Sequence, residues 1–455
     1  MGHGTPALYT FPERRMGPES KPVEPRPGRQ HIFLTRRKAL ASAGILLLVL
    51  WSVWWFASVR CNRLVGGQRT WVPCWSFLNL DFLSVYYDAR HWTAGGDPYH
   101  ENTKPEYVRP FGLDYRYSYP PIVLRLYSWC RFVPPSTAGV VWTVLLTLMA
   151  AVGAWAAWRT RWRLGLTEMP LPLALACVLC STPIFYAMER GNCDLLILPL
   201  LVVSAWALQA KTMSREIVAG SVMALAAWIK IYPGILILGL LALRRWRATA
   251  CFLVVAAAIG LADLKGTHEF AHNIRVLIGS NSFDSQGIWS PSTHSLTGCW
   301  KILWAGTALQ WLTRIPGLLG GACFIVPMAL WVSYRLSRCA SPGLVIYPYL
   351  VWLVAAGTFM PQIANDYNLC FLPVAVVALW DRRDTLLVHV LIAFLLLWWQ
   401  PFELPIGPRL LFIFKYLGLL AAGASLIQRM REAGQGLMKP SIPDVPSRLP
   451  PPMAA

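Results

Sequence analysis

Two carboxylates and a run of tyrosines lie close together in a chain that is otherwise mostly apolar. They occur in Leu80-Asp81-Phe82-Leu83-Ser84-Val85-Tyr86-Tyr87-Asp88-Ala89-Arg90, then Gly95-Gly96-Asp97-Pro98-Tyr99, then Tyr117-Ser118-Tyr119-Pro120-Pro121. Asp81 and Asp88 are seven residues apart, so on a helix they share a face. A carboxylate so placed suits a general base that takes the proton of an attacking hydroxyl. Asp81 is the candidate, because at a helix start the dipole also favours its charge. The same spacing fits a helix-start carboxylate followed by a solvated one. Tyr86, Tyr87 and Tyr119 offer faces that stack on sugar rings, or that sit at a bilayer interface where tyrosine is common. Together with Asp88 they form the expected substrate contacts of a carbohydrate site at a membrane surface.

Further along, Glu189-Arg190-Gly191-Asn192-Cys193-Asp194 packs polar residues between two apolar stretches, and Lys230 stands in Lys230-Ile231-Tyr232-Pro233-Gly234. Arg190 and Lys230 are candidates to hold a lipid phosphate, since cations beside a membrane cavity suit that anion. For Lys230 the plain alternative is snorkelling to the interface. Asn192, His294, Asn365 and Asp366 complete the expected substrate contacts. The last three lie in loops at the outer ends of apolar stretches, where a solvated histidine or a helix-start acid is equally ordinary. No metal-ligand spacing, dinucleotide fingerprint or P-loop occurs, so neither metal nor cofactor is expected.

These residues must be positioned by membrane helices. The chain is 56% hydrophobic and 14% charged, and residues 39–59, 137–158, 170–188, 315–334 and 340–364 carry no charge at all. Stretches of that length cross a bilayer. Twelve spans are expected: 39–59, 137–158, 170–188, 194–210, 216–229, 231–243, 248–263, 315–334, 341–362, 367–380, 385–401 and 409–428. The net charge of +19 sits largely in short clusters between spans, among them Arg159/Arg161/Arg163, Arg244-Arg245/Arg247 and Arg429/Arg431. That is the positive-inside pattern rather than the footprint of nucleic-acid binding. Segment 216–243 could be one long helix or a hairpin broken at Lys230. The hairpin keeps every basic cluster on the cytoplasmic side, with both termini inside.

Within the first outer loop, 60–136, residues 80–94 read as a helix with Asn79 as N-cap and Gly95-Gly96 as its stop. Residues 122–133 read as an amphipathic helix on the membrane. Residues 1–35 and 434–455 are rich in proline and read as disordered cytoplasmic tails around a domain over 36–433. Of the eleven cysteines, Cys61, Cys74, Cys130, Cys193 and Cys299 fall on the outer side, where a disulfide of unspecified pairing is conceivable. Cys177 and Cys180 lie in an apolar span and read as small hydrophobes.

The series Asp81-Phe82, Tyr86-Tyr87-x-Ala89, Gly96-Asp97-Pro98-Tyr99, Tyr119-Pro120-Pro121, Gly191-Asn192-x-Asp194-Leu195-Leu196 and Ala226-Ala227-x-Ile229-Lys230-x-Tyr232-Pro233 resembles glycosyltransferase family 87, over most of residues 75–415. The resemblance implies an all-α polytopic membrane enzyme of the GT-C class with a catalytic first outer loop. It implies an inverting transfer of a sugar, often mannose, from a polyprenyl-phosphate carrier to a lipid or glycan hydroxyl at the outer face of a bacterial plasma membrane, with Asp81 as base. Family members carry Ser-Pro-x-Ser-Trp-x-His-His before a late span. Here Met360-Pro361-Gln362-Ile363-Ala364-Asn365-Asp366-Tyr367-Asn368 stands instead, so neither a histidine role near the donor phosphate nor the identity of the sugar carries over. The rival reading is a transporter or lipid flippase without covalent chemistry. Such proteins bury ionisable groups mid-membrane in paired repeats, whereas the polar groups here gather at one face and no repeat is visible.

Overall fold

A computed structural model describes residues 38–50, 64–65, 68–69, 80–101, 119–166, 169–279, 317–360, 366–381 and 408–435, with a few single residues between them and Asn102 and others left out. The helices are α1 (Lys38–Leu50), α2 (Leu80–Thr93), α3 (Pro121–Leu126), α4 (Pro135–Arg163), α5 (Leu171–Leu179), α6 (Thr182–Arg190), α7 (Ile197–Leu208), α8 (Met213–Ile229) and α9 (Leu236–Ala242). They continue with α10 (Trp246–Leu261), α11 (Leu264–Gly279), α12 (Gly317–Ser337), α13 (Pro342–Gly357), α14 (Phe371–Leu379) and α15 (Pro408–Gly434). The extended exception among the described residues is a two-residue antiparallel pair, β1 (Leu64–Val65) with β2 (Gln68–Arg69). The chain is therefore all-α in its architecture, as expected.

Helix α4 is long and apolar enough to cross a membrane alone, and two bent pairs raise that number to 3 if each is one span. Most of the other expected spans coincide with shorter apolar helices. Span 385–401, the second half of 39–59, Asn79 and nearly all of both tail segments lie outside the described residues. The stretch 170–188, expected to be continuous, is instead α5 and α6 bent by 60°. Ser181-Thr182-Pro183 explains the break, since proline supplies no N–H and fits only the first turn of a new helix. The expected helix over 122–133 also divides, into α3 and a 3₁₀ turn, Ser128–Phe132. Between them Tyr127 turns inward onto Phe82 and Trp142, with ring centroids at 5.7 and 4.6 Å.

Cross-helix hydrogen bonds set the directions. Cys251 donates to the Ile217 carbonyl near the start of α8 and α10, and Trp228 to the Ala256 carbonyl nearer their ends. The two helices therefore run the same way. Arg245, just before α10, pairs with Glu216 at 3.1 Å in the first turn of α8 and donates to the Leu208 carbonyl at the end of α7. The chain must return between Lys230 and Arg245, as the hairpin reading requires. Lys230 itself is extended, with φ −143° and ψ 145°, and stops α8.

Small residues let these helices approach closely. A Cβ added at Gly220 would come within 2.3 Å of the Ala248 carbonyl oxygen, and one at Gly357 within 2.8 Å of the Tyr232 carbonyl oxygen. The first contact seats α8 on α10. The second fixes the turn after Lys230 against the end of α13.

The bundle has two unlike ends. At one, Arg161 donates to the Trp380 carbonyl, Arg429 to the Leu379 carbonyl, Cys339 to the Met430 carbonyl, and Gln209 lies beside Gly343. The basic clusters of the described helix ends collect here. At the other, Trp142 donates to the Gly191 carbonyl at 2.8 Å and Asn273 of α11 to the carbonyls of Tyr99 and Tyr117. This end carries the first loop, the Arg190 and Lys230 turns and α11, which bends 94° from α10 to lie across it.

Candidate active site

Helix α2 begins with Leu80-Asp81 and runs to Thr93, and the chain turns away at Gly95, whose φ of +91° suits a residue without a side chain. Its apolar face, Phe82, Val85, Tyr86 and Ala89, is buried. Phe82 packs on Trp142 of α4 with ring centroids 5.4 Å apart. This packing fixes where the first turn of α2 stands, and with it Asp81.

Asp81 is 5% exposed and uses both oxygens. Oδ1 meets Arg190 Nη2 at 2.6 Å, and Oδ2 accepts from Asn192 Nδ2 at 2.9 Å. The two donors come from one turn. Gly191, left-handed at φ 67° and ψ 34°, ends α6 and reverses the chain, so that the residues on either side of it reach the same carboxylate.

Asn192 also links a second pair. Its Oδ1 accepts the Asp194 backbone N–H at 3.1 Å. Asp194, with no exposed surface, lies 3.4 Å from Lys230 Nζ and accepts from Asn368 Nδ2. The Lys230 ammonium stands 4.6 Å from the centroid of the Tyr119 ring, the geometry of a cation–π contact. Two ion pairs joined through Asn192 thus connect α2, the turn after α6, the turn after α8 and the 3₁₀ turn Asp366–Cys370.

Of the expected site residues, Asp81, Arg190, Asn192, Lys230 and Tyr119 come together. Tyr86 is fully buried, donating to the Val133 carbonyl at 2.7 Å and accepting from Arg90 at 2.6 Å. Its ring lies within the fold and offers no face to a sugar. Tyr87 packs edge-on against it at 5.2 Å and is half-buried. Asp88 is buried and accepts from Thr103, so it fastens the first loop. His294 and Asn365 lie outside the described residues, as does the side chain of Asp366. Asp194 and Asn368 were not singled out as site residues. The signal for Asp194 is its place in the same short turn as Arg190, and that for Asn368 its place in the polar stretch that holds Asn365 and Asp366.

Around the site the first loop is held by polar groups of its own. Burial alone would raise the Asp97 carboxyl, but hydrogen bonds from His100 and from the Tyr99 N–H bring it below its ordinary value. Tyr99 and Tyr117 are pushed well up by burial, so both phenols stay protonated and donate, to the carbonyls of Tyr119 and Pro120. Cys130 and Cys193 are both free thiols, which removes them from the disulfide considered for the outer loops. Burial pushes Cys130 up to about 12. Among the described residues no group of three metal-ligating side chains is placed to hold an ion.

A family model described as glycosyltransferase family 87 matches residues 117–361. That is more than half of the chain. The chain belongs to glycosyltransferase family 87. It is therefore a membrane glycosyltransferase. The matched stretch holds Tyr119, Arg190, Asn192, Asp194 and Lys230; Asp81 precedes it. The family chain is also similar to the alpha-(1->3)-arabinofuranosyltransferases of two Mycobacterium tuberculosis strains, CDC 1551 / Oshkosh and ATCC 25618 / H37Rv. Each is 23% identical over 314 residues, covering 66% of this chain and 67% of the relative. No solved structure matches the chain.

Proposed function

We propose that this glycosyltransferase moves one sugar from a polyprenyl-phosphate carrier to a hydroxyl of a lipid or glycan, with inversion, at the outer face of a bacterial membrane. The observation that carries the proposal is the pair of linked ion pairs, Asp81–Arg190 and Asp194–Lys230, at the end of the bundle opposite its basic end. Basic ends stay in the cytoplasm. In this arrangement the carboxylates face outside, twelve spans return both termini to the inside, and residues 36–433 form the enzyme. A lipid-borne donor keeps its tail in the bilayer while its phosphate meets Arg190 and Lys230.

The acceptor oxygen attacks the anomeric carbon from the side opposite the phosphate. A new C–O bond forms as the C–O bond to phosphate breaks, so the configuration inverts. Asp81 takes the proton from the acceptor hydroxyl. Arg190 pairs with one oxygen of the carboxylate, and Asn192 holds the other. The departing phosphate carries the bond's electron pair and is stabilised by the cations, so a strong acid beside it is unnecessary.

For the sugar we favour a pentofuranose such as arabinofuranose over mannose. The support is the name borne by the mycobacterial relatives, together with the Gln362–Asn368 sequence in place of the paired histidines. The acceptor is then a cell-envelope glycan or glycolipid.

The test offers purified full-length protein farnesyl-phosphoryl arabinofuranose and farnesyl-phosphoryl mannose with a mixture of envelope glycolipids, and weighs the products by mass spectrometry. A pentose increment is expected. A hexose increment alone would overturn the choice of sugar. No transfer from either donor, with lipid movement across proteoliposomes, would overturn the proposed reaction.

A further inference from the structure

Asp194 is the most completely buried acid at the site, yet the proposed chemistry does not use it. It cannot reach an acceptor: it has no exposed surface, while Lys230 beside it retains 15% and Arg190 27%. Among the described residues its polar neighbours come from separate elements. Asn192 Oδ1 accepts its N–H, Asn368 Nδ2 donates to Oδ2, and Lys230 Nζ faces Oδ1. The residue is thus anchored through its backbone by Asn192 and through its carboxylate by Asn368. The lysine is the flexible partner, on a four-carbon stem.

We infer that Asp194, itself held by Asn368, is a positioning residue that sets where the Lys230 ammonium stands for the donor phosphate. The inference rests on the proposed phosphate role of Lys230 and adds what makes that role possible. An ammonium sunk in an apolar bundle loses its proton or swings to the surface unless a counter-charge holds it. Asp194 supplies that charge from behind, while the Tyr119 ring lies 4.6 Å from the ammonium on another side. Between them they define one location for the cation. Asn192 ties that location to Asp81, because one of its amide atoms binds the base and the other the backbone of Asp194. Asn192 is thus shared between the base and the residue behind the phosphate cation. A displacement of this kind uses a defined separation between acceptor and leaving group.

The test uses the full-length protein, with farnesyl phosphate as the binding probe and farnesyl-phosphoryl arabinofuranose as the donor in turnover. Asp194→Asn keeps the shape and removes the charge. It is expected to weaken farnesyl phosphate binding and raise donor KM by about tenfold to a hundredfold, the worth of one charged hydrogen bond. Acceptor KM and kcat at saturating donor should move far less. Asp194→Glu should recover part of the affinity, and Asn368→Ala should raise donor KM by a smaller factor while leaving all charges in place. Asn368→Ala also carries the test if Asp194→Asn does not accumulate as folded protein.

A purely structural role predicts a different pattern: donor KM, acceptor KM and kcat all degrade together in proportion to lost stability. That pattern, or unchanged farnesyl phosphate affinity in Asp194→Asn beside a weakened Lys230→Ala, overturns the inference alone. Unchanged affinity in Lys230→Ala removes the phosphate role itself, and the positioning role with it.

Discussion

At the scale of residues, each cation of the site stands on a carboxylate: Arg190 on Asp81 and Lys230 on Asp194. The two pairs carry different consequences for substitution. Arg190→Ala removes the proposed phosphate contact and also takes the Arg190 partner from Asp81, so both donor affinity and turnover should fall. Lys230→Ala should act on donor affinity alone, by about tenfold to a hundredfold for one charged hydrogen bond. Donor titration at saturating acceptor separates the two; equal falls in kcat for both variants would contradict the division. The types of these residues were readable from the sequence, because charge inside an apolar chain is conspicuous. Their pairing was not. Asp81 and Arg190 are 109 positions apart, and only the folded helices decide which acid meets which base. Tyr86 shows the converse. Its type suits a sugar-stacking ring or an interfacial one, yet it is buried, because the 3₁₀ turn brings the Val133 carbonyl to its hydroxyl.

Helix positions were legible wherever apolar runs ended in proline, glycine or charge, and the break at Lys230 followed from charge placement alone. The bend between α5 and α6 was less so, since Ser181-Thr182-Pro183 interrupts the helix without interrupting its hydropathy. Two glycines differ in this respect: Gly95 is legible as a helix stop, whereas the close approach at Gly220 is not. Gly95 is left-handed at φ +91° with nothing within 4 Å of an added Cβ, whereas Gly220 is ordinary backbone pressed on the Ala248 carbonyl at 2.3 Å. Gly95→Ala should cost about 1–2 kcal/mol through backbone strain. Gly220→Val forces α8 from α10 and should cost about 1–3 kcal/mol or more through overpacking. Thermal unfolding of the detergent-solubilised protein checks both. A Tm drop for Gly95→Ala that exceeds the drop for Gly220→Val would show that the α8–α10 contact is looser than described.

For the whole molecule, the two ends of the bundle predict opposite exposure to the two sides of the membrane. Arg245 stands at the basic end with Glu216, and Gly266 at the start of α11 beside the first loop. In intact cells, a cysteine at Gly266 in a background without reactive thiols should be modified by a membrane-impermeant maleimide. One at Arg245 should be modified only after lysis. Labelling of Arg245 from outside would invert the proposed topology and place Asp81 on the side away from the donor.

The central claim is that Asp81 is the base of a glycosyl transfer performed at that outer end. The measurement that tests it most directly is transfer from farnesyl-phosphoryl arabinofuranose by purified full-length Asp81→Asn, with Asp88→Asn and the unaltered protein alongside. Asp81→Asn keeps the size of the side chain and removes the base, so kcat should fall by about 10² to 10⁴-fold with farnesyl phosphate binding retained. Asp88→Asn, which alters a carboxylate that accepts from Thr103, should cost much less. Near-normal transfer by Asp81→Asn, with transfer abolished in Asp88→Asn, would contradict the account.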